Sequence, residues 1–244
     1  MINHLDGRGR FQKIVLWGVL SPLMVILPLS WMNEIFLLNV PTHWCDHPMQ
    51  KGMNATELLA WKQCFLPDEN HPDGTLGFKK CKIYEPIEEA ERFWRRREWD
   101  GSECYLGRLN ATAREVDCRK GIAYDHSEFS STIVTSNDWV CAEGMKVPGL
   151  YTFGTIGGIV GTFVFSYAGD VFGRKGVLFF TLTMVSISTI LRVFVWRSYL
   201  MHQILKFVAS ACYVATFQMP YSLITEICDA GFRSIAVGIT VVGW

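Results

Sequence analysis

Apolar residues in this chain gather into long runs. Such runs cover residues 14–38, 148–168, 177–195 and 199–227, and another begins at 234 and reaches 244. A helix needs about 20 mostly apolar residues to cross a ~30 Å hydrocarbon core. The first four runs therefore predict membrane-spanning helices. The last, at 1.5 Å per residue, reaches only about 18 Å, so the chain is expected to stop within a fifth helix. The pattern is that of an all-α membrane protein. Polar connections lie at 1–13, 39–147, 169–176 and 228–233. A cleaved leader is the rival reading of the first run. A leader's apolar core is about 7–15 residues and ends at a small-residue site. This run is longer, contains Pro22 and Pro28, and has no such site before Asn39.

Charge and cysteine content divide the chain in the same way. The 244 residues are 50% hydrophobic and 19% charged, with zero formal net charge. Residues 43–146 hold 14 of the 23 basic and 18 of the 23 acidic side chains, so this stretch is acidic and the rest is basic. The same stretch holds six of the eight cysteines: Cys45, Cys64, Cys81, Cys104, Cys118 and Cys141. An even set without a CxxC spacing reads as a disulfide framework in an oxidising compartment, with its pairing open. Two N-x-T sequons, at Asn54 and Asn110, require the same side of a membrane. Cys212 and Cys228 read as small packing residues.

Orientation follows from the basic residues. Arg8, Arg10 and Lys13 precede the first run, and Arg174 and Lys175 lie between the second and third. Basic residues near span ends favour the cytoplasm. An inside N-terminus puts 39–147 outside, where cysteines and sequons belong; Arg197 falls on the other side from those clusters.

Several residues carry candidate chemistry. Gly154, Gly157, Gly158 and Gly161 fall at four-residue spacings that let helix backbones approach closely. In Gly169-Asp170-Val171-Phe172-Gly173-Arg174-Lys175, glycines permit a tight reversal between two spans. Asp170 can accept backbone N–H groups or pair with a guanidinium, and Arg174 and Lys175 can anchor the turn at headgroups. Glu34 and Lys206 are ionisable residues within spans, and therefore candidates to face a cavity; snorkelling to the interface is the plainer role. His43, Cys45 and His47 alternate as metal ligands can, but the disulfide has the stronger claim on Cys45, so no metal is expected. Phe93–Trp99 mixes bases and aromatics in an acidic loop. It reads as a solvated face, and no nucleic-acid partner is expected. No nucleophile–base set or phosphate loop is present, so neither enzymatic activity nor a cofactor is expected.

The Gly169–Lys175 string resembles the loop between the second and third helices of major facilitator transporters, G-x-x-x-D-[RK]-x-G-R-[RK]. Asp170, Gly173, Arg174 and Lys175 match, while Ser166 and Val171 depart from the pattern. Pro41-Thr42-His43-Trp44-Cys45 resembles the P-x-H-x-C of the organic cation, anion and zwitterion transporter family. The stretch from Tyr124 to Cys141 resembles that family's Y-D-x-S-x-F-x-S-T-I-V-T-x-W-x-L-V-C, with Asn137 and Trp139 replacing the expected tryptophan and leucine. The large loop with six cysteines is that family's mark among major facilitators.

The resemblance implies a twelve-helix fold in two six-helix halves, of which this chain holds the N-terminal part: four full helices, a truncated fifth and the extracellular loop. It implies a latch at Asp170, Gly173, Arg174 and Lys175, and an E-x-x-x-x-x-x-R pair at Glu226 and Arg233. Lys206 lies where the family usually has an arginine. The implied function is alternating-access transport of small organic ions at the plasma membrane, with the lipid bilayer as partner and the missing C-terminal half needed for activity. A second reading is a membrane-anchored binding or adhesion protein that works through its disulfide-rich loop.

Overall fold

The computed structural model describes residues 14, 16–70, 76–85, 114–227, 233–234 and 236–238. The N-terminal segment 1–13, Phe93–Trp99, Cys104, Asn110, the turn 228–232 and most of 234–244 lie outside the described residues. The chain divides into two compact units, one of residues 40–142 and one of 1–39 with 143–244.

The second of these is helical. A π-helical turn, Leu16–Leu20, leads into α1, Ser21–Leu37, which contains Pro28. In the other unit, α2 is Ala55–Phe65 and α3 is Ile133–Asn137. The helical unit continues with α4, Lys146–Phe172; α5, Arg174–Phe194; and α6, Tyr199–Ile227. Three helices, α4 to α6, are long and apolar enough to cross a membrane, and Pro22–Leu37 forms a shorter apolar helix.

The glycines of α4 set its packing against α6. A Cβ placed on Gly161 would lie 2.2 Å from the Ala211 carbonyl oxygen, and one on Gly157 2.5 Å from that of Phe207. Only a missing side chain permits this approach. Hydroxyls are satisfied inside their own helices. Thr155, Thr162, Thr183, Ser186 and Thr189 each donate to the carbonyl four residues back, at 2.8–2.9 Å. Bonded in this way, none of the five depends on water for a partner. The exposure pattern is inverted relative to a water-soluble domain: Phe163, Phe179 and Phe194 are exposed, whereas Glu34, His202 and Lys206 are buried.

The connection between α4 and α5 is much shorter than the eight-residue turn 169–176 read from the sequence. Gly173 alone separates the helices, at φ 88°. Gly169 stays within α4, where its missing Cβ makes room for Met219.

The all-α expectation needs correction in residues 40–142. Six three-residue strands form three antiparallel pairs among the described residues: β1 (His43–Cys45) with β6 (Ile122–Tyr124), β2 (Asp68–Asn70) with β3 (Leu76–Phe78), and β4 (Lys82–Tyr84) with β5 (Glu115–Asp117). Strands this short have no periodic signature. What holds them is a core of Cys45, Trp61, Cys64, Phe65, Leu66 and Ile83, in which Trp61 stacks on Phe65. Disulfides join Cys45 to Cys118 and Cys81 to Cys141, and Cys64 is also disulfide-bonded.

Candidate functional site

Glu34, near the end of α1, meets two cations. Its Oε1 accepts a hydrogen bond from Arg192 Nη2 in the last turn of α5 at 2.8 Å, and its Oε2 accepts from Lys206 Nζ of α6. Arg192 Nη2 also donates to His202 Nε2 at 3.1 Å. The imidazole acts as acceptor there and adds no positive charge. A Cβ on Gly154 would lie 2.6 Å from Lys206 Cε, so this glycine gives the lysine stem its place against α4. Lys206 Nζ also stands 6.0 Å from the centre of the Tyr151 ring.

Glu34, Arg192, Lys206 and Tyr151 border a cavity of about 460 Å³, within the size range of small-molecule sites. Tyr151, Thr155, Thr189, Ser210 and Tyr213 supply polar atoms, and Ile159, Val185 and Val214 supply apolar wall.

A second charged cluster lies at the opposite end of α4. Arg174 Nε donates to Glu226 Oε1 at 2.7 Å, and its Nη2 reaches Asp170 Oδ1 at 3.5 Å. The arginine at the start of α5 thus stands between carboxylates on α4 and α6. Ser166, Gln218 and Ser222 join Asp170 and Arg174 around a space of about 220 Å³. Lys175 and Arg233 are exposed.

In residues 40–142, His43 is buried and hydrogen-bonds the Pro41 carbonyl through Nδ1 at 3.0 Å. Burial depresses its pKa below the ordinary 6.5, the Pro41 bond opposes this, and Lys80 adds to the depression. His43 approaches Cys81 and Cys141 closely enough for metal ligation, but both sulfurs belong to one disulfide. Cys45 is likewise withdrawn from ligation with His43 and His47 by its bond to Cys118. Asn54 is exposed at the N-cap of α2, where its backbone N–H donates to Glu57.

No protein-family model matches the chain. Solute carrier family 22 member 7 of Sus scrofa is 30% identical over 248 residues, 98% of this chain and 43% of that protein. The chain is solute carrier family 22-like. The organic cation/carnitine transporter 2 of Mus musculus is 28% identical over 93% of the chain and 39% of its own length. The beta-alanine transporter of Drosophila melanogaster is 27% identical over 93% of the chain and 38% of its own length. This family 22-like chain thus spans about two fifths of the length of these relatives.

For a family 22-like chain, the structure redistributes the residues singled out in the sequence. Glu34 and Lys206 come together. Asp170 and Arg174 come together with Glu226, which takes Arg174 as its partner. Arg192 and His202 were not among the sequence-derived site residues. A lone charge at the end of an apolar run signalled Arg192; nothing in the local sequence signalled His202.

Proposed function

We propose that this chain moves small organic ions across a membrane by alternating access, as the N-terminal part of a longer transporter. The class includes organic cations, carnitine-like zwitterions and organic anions. The observation that carries the proposal is the Glu34–Arg192–Lys206 cluster, buried among apolar helices and bordering a cavity large enough for such a solute. Ionisable groups in a membrane interior are costly and mark substrate or ion paths. The names of the relatives point the same way.

In this reading four helices cross the bilayer, a fifth follows, and the N-terminus faces the cytoplasm of a plasma-membrane protein. Residues 40–142 lie outside, cross-linked by disulfides and glycosylated at Asn54 and Asn110. Asp170, Gly173, Arg174 and Lys175 form the cytoplasmic latch. Glu226 is held by Arg174 in one state and is released, or taken by Arg233, in another. Two packed states of nearly equal energy suffice for such switching.

The test is uptake of labelled organic cations, anions and carnitine-like zwitterions by cells expressing the longer transporter of which this chain is the N-terminal part. Saturable uptake of at least one class, lost in Glu34→Gln at equal surface expression, is expected. Uptake at the level of untransfected cells for all three classes rules the proposal out.

A further inference from the structure

The cavity beside α4 and α6 has an excess of positive charge and of hydrogen-bond donors. Glu34 is the one acid lining it among the described residues, whereas Arg192 and Lys206 are both cations. Both carboxylate oxygens are occupied, one by each cation. An ammonium ligand would meet a carboxylate whose charge is already more than matched by two cations. On the donor side there is a surplus: Arg192 Nε is buried and has no hydrogen-bond partner among the described residues. A guanidinium carries five N–H donors and an ammonium three, more than one carboxylate and one imidazole take up.

The aromatic lining is consistent with this. An organic cation recognised through ring faces needs an open ring. The Tyr151 ring already faces the protein's own cation, Lys206. A second cation there would meet like charge in a poorly screened interior. The rest of the wall, from Ile159, Val185, Val214 and the Tyr213 ring, suits an apolar body behind a charged head.

We infer that this cavity takes the anionic group of an organic ligand, a carboxylate, against Arg192 and Lys206, with the ligand's apolar part along α4 and α6. The inference rests on the transport reading and selects the sign of charge within it. Glu34 is then a resident counter-anion that the incoming carboxylate partly replaces. Its neutralisation strengthens anion binding, and loss of either cation weakens it.

The test is equilibrium dialysis of the full chain in phosphatidylcholine nanodiscs against radiolabelled benzoate and, separately, benzyltrimethylammonium. Saturable benzoate binding without binding of the cation is expected. Benzoate affinity is expected to rise roughly tenfold in Glu34→Gln and to fall roughly tenfold or more in Arg192→Gln or Lys206→Gln. In Glu34→Gln/Lys206→Gln, which restores the original net charge, affinity returns towards that of the unmodified chain. The benzoate–cation comparison needs no substitution, so a variant that fails to fold leaves it decisive. Preferential binding of the cation overturns the inference, as does benzoate affinity indifferent to all three charges. Displacement of benzoate by equimolar chloride overturns its organic part and indicates an inorganic anion site. No benzoate binding while cellular uptake persists removes the anion inference alone; loss of both removes the transport reading as well.

Discussion

Glu34 and Lys206 lie 172 positions apart and form a buried ion pair between α1 and α6. Arg192 shares the same carboxylate, so the two cations are not equivalent to their common anion. Removing Lys206 leaves Glu34 with Arg192, whereas removing the Glu34 charge leaves two buried cations facing each other. Breaking a buried pair from one side costs about 3–5 kcal/mol. Glu34→Gln is therefore expected to lower the thermal midpoint in mild detergent clearly more than Lys206→Met. Equal midpoints for the two variants would show that the shared carboxylate does not organise these helices.

Gly161 decides how closely α4 approaches α6. A methyl group there meets backbone, which cannot rotate away. Gly161→Ala is expected to destabilise by about 1–3 kcal/mol, the usual cost of overpacking. Gly176 in α5 has open space around its Cβ direction, so Gly176→Ala is expected to be neutral or slightly stabilising through helix propensity. Thermal unfolding of both variants in the same detergent measures the contrast.

The Arg174–Glu226 pair is half exposed on the Glu226 side. Screening limits such pairs to about 0–1 kcal/mol. Arg174→Gln is expected to leave the thermal midpoint nearly unchanged and to alter the uptake rate up to about fivefold at constant surface expression. Exchange of the charges, Arg174→Glu with Glu226→Arg, is expected to recover part of the lost rate. A midpoint drop of many degrees in the single variant would make this pair a structural clamp and not a weak bias.

His43 gives residues 40–142 an acid sensitivity of definite sign. Its pKa in the fold is depressed below 6.5 by burial, so the unfolded chain binds a proton that the folded chain resists. Its stability contribution is fully present above about pH 6.5 and is lost as pH falls through the lower folded value. Hydrogen-exchange protection factors of this segment, corrected for the intrinsic pH dependence of amide exchange, are expected to fall between pH 7 and pH 5, and His43→Gln is expected to flatten that dependence.

The Cys45–Cys118 bridge closes a 73-residue separation. Loop-closure arguments assign such a bridge about 4 kcal/mol. Cys45→Ser with Cys118→Ser is expected to leave residues 40–142 far more sensitive to limited proteolysis, with the pattern read on non-reducing gels. Unchanged resistance would place the stability of this segment in its Trp61 core alone.

The sequence by itself determined where the three long helices α4, α5 and α6 form, because a run of apolar residues needs no knowledge of its neighbours to be recognised. It also singled out Glu34 and Lys206, since a charge inside such a run stands out locally, and the α4 glycines, since their spacing is a property of one helix. The tertiary structure decided what these features meet. Arg192 and His202 joined the site, and Glu226 turned to Arg174, because an ion pair depends on which helix ends lie side by side. The six short strands came from a core assembled out of residues such as Cys45, Trp61 and Ile83, and three residues hold no periodicity from which a strand can be read. Long-range contacts of this kind are set by packing and electrostatics between distant segments, and no local pattern encodes them.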